Sequence, residues 1–185
     1  MDRLSGKPWW DKDEMSNKRL YNVLTQYWKE IKEEGLKILN EKGYFKDESE
    51  NLKDTGQWKQ FELYARGVKN IKNCERCPTT CKIIDSIPEA KTCKRGQVKF
   101  SVIHPGTHVW PHCGPTNCRL RVHLGLKVPP NTFIRVANET RYKILNTNFL
   151  KSHITYLQYF KLQIVLDSYW LEPPSWLLHI HQNHH

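Results

Sequence analysis

Two runs in this chain alternate apolar and polar residues with a period of two, and no other feature constrains its fold as tightly. From Gly96 onward, Val98, Phe100 and Val102 fall on one face and Gln97, Lys99 and Ser101 on the other. Between Cys118 and Leu126 the pattern is cleaner still, with Leu120, Val122, Leu124 and Leu126 opposing Arg119, Arg121, His123 and Gly125. Successive side chains of a strand point to opposite faces, so both runs are strands with one apolar and one polar face. A Pro129-Pro130-Asn131 turn leads into a third strand at 132–136. Strands punctuated by turns at such short intervals indicate an antiparallel sandwich or barrel.

The N-terminal region follows a different period. Leu20, Leu24, Tyr27, Trp28, Ile31, Gly35, Ile38 and Leu39 lie on one face of a helix, which Ser16 or Asn17 can cap and Gly43 can end. This is a packing helix without chemistry. Residues 44–72 read as a loop, a short strand and a connection. Residues 73–95, broken by Pro78 and Pro88, read as a loop with a short element around Ile83–Ile87.

Seven Trp and 38% hydrophobic residues in 185 suffice for one domain with a core. No run approaches the roughly 18 consecutive apolar residues of a membrane span, and MDRLSGKPWWDKDE lacks the apolar centre of a signal peptide. The formal charge of +10 invites a nucleic-acid reading. Its Lys and Arg, however, are interspersed with Glu and Asp between Lys29 and Lys72, as on solvated helix faces, and no nucleic-acid motif accompanies them. Cys74, Cys77 and Cys81, with Cys93 beyond, can nominally offer four thiolates to zinc. The second pair lacks knuckle spacing, and a local disulfide or plain thiols fit the pattern better.

His104, His108 and His112 recur every four residues, but Pro105, Gly106 and Pro111 forbid the helix that would align them. They belong to a constrained loop between strands, from which a single His can still ligate a metal. Arg121 and His123, two apart on one strand face, form a pair suited to a carboxylate, with Ser101 adding a hydroxyl from a neighbouring strand. Alternation alone leaves open a plainly solvated polar face.

GQVKFSVIHPGTHVWPHCGPTNCRLRVHLGL followed by ANETR resembles, almost without gaps, the core motif of the aspartyl/asparaginyl β-hydroxylases. KPWWDKDE, the Trp28 helix, NLKDTGQWKQFELY and the Cys74 to Cys81 spacing resemble that family too, so the likeness spans roughly residues 7–141. It implies a mainly β fold with N-terminal helices, a double-stranded β-helix or jelly roll. It also implies Fe(II)- and 2-oxoglutarate-dependent β-hydroxylation of Asp or Asn in EGF-like domains, by a monomer of the endoplasmic reticulum. His112 falls on the family's first iron ligand, with Gly114 where related dioxygenases carry a carboxylate. Ser101, Arg121 and His123 fall on its 2-oxoglutarate contacts, and Cys74 and Cys81 on its disulfide. The role of Arg119 stays open, and Cys77 is a departure able to rewire the bridge.

The expected organisation is a catalytic domain over 1–141, comprising an N-terminal helical region (1–72), a Cys loop (73–95) and a β core (96–141). A divergent tail occupies 142–185. The family continues past this point with a second iron His in a His-Glu context and an Arg for the distal 2-oxoglutarate carboxylate. His153, His179, His181, His184 and His185 stand outside that context, and no Arg follows Arg141. The tail reads like an alternative splice end or intron read-through, leaving a truncated, impaired module or a noncatalytic binding or regulatory isoform. A barrel incomplete after Arg141 would expose strand edges, which the alternating runs Ile154–Phe160 and Leu162–Val165 are the segments able to cover.

Overall fold

The computed structural model describes residues 9, 18–49, 51–112, 119–130, 133–142, 159–167 and 179–181. The apolar stripe near the N-terminus forms two helices, α1 (Lys18–Gln26) and α2 (Trp28–Asn40), rather than the continuous one its periodicity predicts. Tyr27 breaks it with φ −106° and ψ 19°. Leu20 and Leu24 of α1 and Ile31 and Ile38 of α2 nevertheless enter one core, so the stripe survives the bend. The proposed caps Ser16 and Asn17 lie outside the described residues, and Gly43 sits beyond the helix end in a turn with φ +91°.

Residues 46–69 are strands, more extensively than the mixed charge suggests: β1 (Lys46–Asp47), β2 (Lys53–Thr55), β3 (Trp58–Ala65) and β4 (Val68–Lys69). The Cys segment corrects another expectation. In place of a loop it holds α3 (Ile71–Cys74), α4 (Pro78–Asp85) and α5 (Pro88–Thr92). Pro78 and Pro88 start α4 and α5 instead of breaking them, because the first helical position has no hydrogen bond to lose. Glu34 of α2 serves as a long-range cap for α4, accepting from the backbone N–H of Thr79 (2.9 Å) and Thr80 (2.7 Å) and from the Thr80 hydroxyl. Cys74 and Cys81, 5.7 Å apart at Cα, are joined by a disulfide that ties α3 to α4.

The strands continue as β5 (Gln97–Ile103), β6 (His108–Val109), β7 (Arg119–Lys127), β8 (Phe133–Val136), β9 (Glu139–Tyr142), β10 (Tyr159–Asp167) and β11 (His179–His181). The fold is mainly β with N-terminal helices, every pairing is antiparallel, and the class is that of a jelly roll; the described strands do not close into a barrel. The large sheet runs β1-β3-β5-β10-β7 with β4 on β3, and the smaller sheets run β11-β8-β9 and β2-β6.

Although the described strands do not close into a barrel, the segment after Tyr142 does cover strand edges of the large sheet, as its alternation allowed. β10 comes from beyond Tyr142 and lies between β5 and β7, pairing Leu162 with both Phe100 and Leu124. Period-two alternation explains this. Leu162 and Ile164 join Val98, Phe100, Val102 and Leu126 beneath the helices, with Val122 and Leu124 packed alongside. A strand with this apolar face removes two exposed edges at once.

Candidate functional site

The opposite face of the large sheet turns away from the helices and carries its polar residues. Register places Gln60 of β3 beside Ser101 of β5, Ser101 beside Lys161 of β10, and Lys99 beside Gln163, which in turn faces His123 of β7. Arg121 follows two residues from His123 on the same face, opposite Val165. Ser101, Lys99 and Gln163 are buried, while Arg121 and His123 are half-buried. Ser101 is thus not on the strand next to Arg121 and His123, as alternation led us to expect. The tail strand stands between them, so the three residues share a face but flank β10.

Ser101 is held by Trp58, whose indole Nε1–H donates to its Oγ at 3.0 Å. The Trp58 ring also lies 6.4 Å from the His112 ring, centroid to centroid. Trp58 therefore links the segment carrying His112 to the face carrying Ser101. The link depends on how the His loop is seated. Thr107 Oγ1 accepts from Gln57 N–H at 2.9 Å and donates to Gln57 O at 3.0 Å, and His104 N–H donates to the same carbonyl at 3.0 Å. Gly56 makes room: it has φ +80°, and a Cβ there would stand 2.4 Å from the Thr107 backbone.

The three evenly spaced His residues separate by environment. His108 pairs through Nδ1 with Asp54 at 2.9 Å and rests edge-on against Trp110. Burial alone would raise the Asp54 carboxyl, but the His108 hydrogen bond and charge together with backbone hydrogen bonds at Asp54 and Thr55 outweigh it and hold Asp54 below its usual range. Burial and the Lys59 charge lower the His104 imidazole, favouring its neutral form. In His112, Nδ1 lies 2.8 Å from the Trp110 carbonyl. A carbonyl only accepts, so Nδ1 carries the hydrogen and the neutral ring keeps a lone pair on Nε2. That Nε2 is buried and has no hydrogen-bond partner among the described residues. A backbone carbonyl fixing one nitrogen while the other stays bare is how proteins prepare an imidazole to ligate a metal.

Among the described residues no three His, Cys, Asp or Glu side chains converge as a metal site. The disulfide removes two of the four thiolates that a zinc reading needs, and Cys77 and Cys93 are buried thiols. Burial, with Glu34 adding to it, pushes the Cys77 thiol up to about 12, which keeps it protonated and unreactive beside the bridge. Gly114, Cys113 and Cys118 lie outside the described residues. His179 and His181 of β11 stand opposite Arg135 and Phe133 of β8, in register with the exposed Arg135 rather than with the buried Val136.

Sequence reasoning did not single out Trp58, Gly56, Thr107 or Gln163. The period-two set Trp58, Gln60 and Glu62 within residues 44–72 was the signal available for the first. The pairing of Gly56 with Thr107, about fifty positions apart, has no local signature.

The family model described as aspartyl/asparaginyl beta-hydroxylase matches residues 25–146. The chain is 48% identical over 140 residues to the aspartyl/asparaginyl beta-hydroxylase of Homo sapiens, covering 75% of this chain and 18% of that protein. It is 49% identical over 140 residues to the Mus musculus protein of the same name, covering 75% and 19%. An ornithine lipid ester-linked acyl 2-hydroxylase of Rhizobium tropici is 42% identical over 102 residues, covering 51% of this chain and 34% of that protein. The chain spans about a fifth of the length of the two mammalian relatives.

Proposed function

We propose, from the premise that this chain belongs to the aspartyl/asparaginyl β-hydroxylase family, that its polar sheet face is one half of an Fe(II)- and 2-oxoglutarate-dependent dioxygenase site. The substrate class is Asp or Asn side chains of EGF-like domains. The observation that carries this reading is the buried Nε2 of His112, unpartnered among the described residues, with Nδ1 held by the Trp110 carbonyl and the ring near Trp58, which bonds Ser101. His112 would hold iron, and bound iron with 2-oxoglutarate would supply the oxygen chemistry of hydroxylation. Arg121 and His123 would bind one carboxylate by charge-assisted hydrogen bonds, and Ser101, fixed by Trp58, would add a hydroxyl.

Turnover on this reading is slow, because one imidazole from the chain leaves the metal dependent on 2-oxoglutarate and water for its other positions. The site works on a monomer in the lumen of the endoplasmic reticulum and does not engage nucleic acid. No helix among the described residues is long and apolar enough to cross a membrane. The second reading, a noncatalytic binding or regulatory isoform, draws support from the lack of three converging ligands among the described residues.

Purified protein with saturating Fe(II), 2-oxoglutarate and an EGF-like peptide decides between them. A 16 Da gain on the peptide, several powers of ten slower than with a complete family catalytic domain and abolished by His112→Ala, is the expected result, since each ~1.4 kcal/mol of lost transition-state stabilisation costs about tenfold. Peptide binding without any mass gain selects the noncatalytic reading. Neither binding nor mass gain overturns both.

A further inference from the structure

The ribbon that delivers His112 is very short. β2 has three residues and β6 has two, with a register shift between Lys53 and Thr55, and a two-stranded ribbon of that size does not hold its own shape. Its inner side is anchored by Val109, which is buried with Trp58 and Ile103. One buried anchor fixes the depth of a strand but leaves its rotation about its own axis open. That rotation matters, because Trp110 follows β6 directly. Its N–H donates to the Leu52 carbonyl at 2.8 Å, and its own carbonyl is the group 2.8 Å from His112 Nδ1. Turning the strand would swing that carbonyl off the imidazole. The side opposite Val109 carries a second set of contacts. His108 Nδ1 lies 2.9 Å from Asp54 Oδ1 across the ribbon, and the Trp110 ring stands edge-on to the His108 ring with centroids 4.8 Å apart. Asp54, His108 and Trp110 thus form one string over the outer side. The His108 and Asp54 side chains are 41% and 35% exposed and Trp110 is 53% exposed, and pairs so open to solvent add little to folding stability.

We propose that Asp54 and His108 are positioning residues for His112: their pair, passed on through the Trp110 ring, fixes the Trp110 carbonyl and with it the Nδ1–H tautomer that puts the His112 lone pair on Nε2. This rests on the reading of His112 as a metal ligand. The partner of the distal nitrogen sets both the tautomer and the direction of a ligating imidazole, so whatever holds that partner tunes the ligand. Here the partner is a backbone carbonyl, and a carbonyl can be aimed only by fixing the strand that carries it. Val109 does this from within and the Asp54–His108 pair from without.

Two measurements on the full chain test this. In metal-free protein carrying isotope-labelled histidine, nitrogen NMR assigns the tautomer of each imidazole. His112 should be the Nδ1–H form in the parent and a mixture of forms in His108→Ala and in Asp54→Ala. Mn(II) titration, followed by the paramagnetic resonance signal of the free ion, should show affinity falling about tenfold in both variants, the lower end of what loss of an outer partner of a ligating His costs. Asp54→Asn keeps an oxygen that accepts from His108 and should keep the parent's tautomer and affinity. Melting temperatures should stay close to the parent's in all three variants. A purely structural pair would lower the melting temperature of the alanine variants while His112 keeps its tautomer and its affinity, and that result overturns the proposal, as does parental behaviour in every variant. Absence of saturable Mn(II) binding in the parent would instead defeat the reading of His112 as a ligand, and the tautomer spectra, taken without metal, still decide the positioning.

Discussion

Two polar groups, one on the polar face of the large sheet and one on the segment after β6, are treated in opposite ways. Lys99, 1% exposed, donates to both carboxylate oxygens of Glu48, at 2.9 and 3.1 Å, and to Gln60 at 2.9 Å. All three of its N–H donors are used, and its charge is neutralised by a carboxylate that is itself buried. At His112, Nδ1 is satisfied by the Trp110 carbonyl and Nε2 has no hydrogen-bond partner among the described residues. The first cluster is complete without any other molecule and fastens the β1 edge to β3 and β5. The second is complete only when something binds. Burial of polar groups is therefore not by itself a mark of function; the unpaired valence is.

The comparison breaks most visibly at Lys99. Lys99→Met leaves Glu48 charged, buried and unpaired, which costs about 3–5 kcal/mol. The double variant Lys99→Met with Glu48→Leu should recover most of that loss, since a buried pair replaced by apolar groups of similar size is often close to neutral. Urea unfolding of parent, single and double variants checks this. A single variant as stable as the double would mean that the cluster is not the closed unit described above.

The bridge comes next in size. Replacing Cys74 and Cys81 by Ser frees a short loop, and chain-entropy reasoning assigns such a loop about 2–3 kcal/mol. Cys77, kept protonated by burial and Glu34, should not exchange into the bridge. Mapping of peptides under nonreducing conditions should return the Cys74 to Cys81 pair with Cys77 alkylated only after unfolding. A Cys77 bridge to either partner would contradict that.

The strands β5 and β7 and their two faces were legible because period-two alternation encodes sidedness directly, and Val98, Phe100, Val102, Val122, Leu124 and Leu126, which it assigned to the apolar side, are those under the helices. Neighbour order is a long-range property and was not. Nothing in Cys118–Leu126 says that its partner will be a strand some forty residues later, so Ser101 was placed next to Arg121 and His123 when β10 intervenes. Prolines misled in the Cys segment, since Pro78 as a breaker and Pro78 as a first helical residue look identical until the capping Glu34 is known. At the site, His112 was legible only through family likeness. Its tautomer, the Trp58 link and the burial of Gln163 depend on contacts that local sequence does not carry.

A smaller effect tests an ion pair at the edge of the helices. Burial alone would raise the Asp85 carboxyl, but hydrogen bonds from Lys69 and Tyr64 outweigh it and hold Asp85 below its usual range. A carboxyl depressed in the folded state contributes stability that is present above its unfolded pKa, about 3.9, and lost as pH falls through the lower folded value. Asp85→Asn should therefore cost about 0.5–1 kcal/mol at neutral pH, the pair being partly exposed, and nothing in strong acid. Parallel pH–stability curves for parent and variant would disprove the pairing.

The smallest expected stability effect belongs to His112, and it sharpens the contrast with Lys99. His112→Ala removes one hydrogen bond to the Trp110 carbonyl at the half-exposed end of the site and, with it, a buried nitrogen that had no partner among the described residues. The first loss costs about 0.5–1.5 kcal/mol. The second returns some of that, because an unsatisfied buried acceptor is itself unfavourable. The net change should be within about 1 kcal/mol, well below the cost at Lys99. Metal affinity should behave in reverse, with Mn(II) or Fe(II) binding falling by orders of magnitude in His112→Ala and remaining in Lys99→Met at temperatures where that variant is folded. A group whose loss barely affects folding but abolishes binding is placed for a ligand, and a group whose loss unfolds the chain but spares binding is placed for the fold. Calorimetric unfolding and metal titration on the same two variants measure both quantities. Should His112→Ala destabilise the chain as strongly as Lys99→Met, the bare Nε2 would be incidental to a structural residue, and the contrast between a closed and an open polar group would fail.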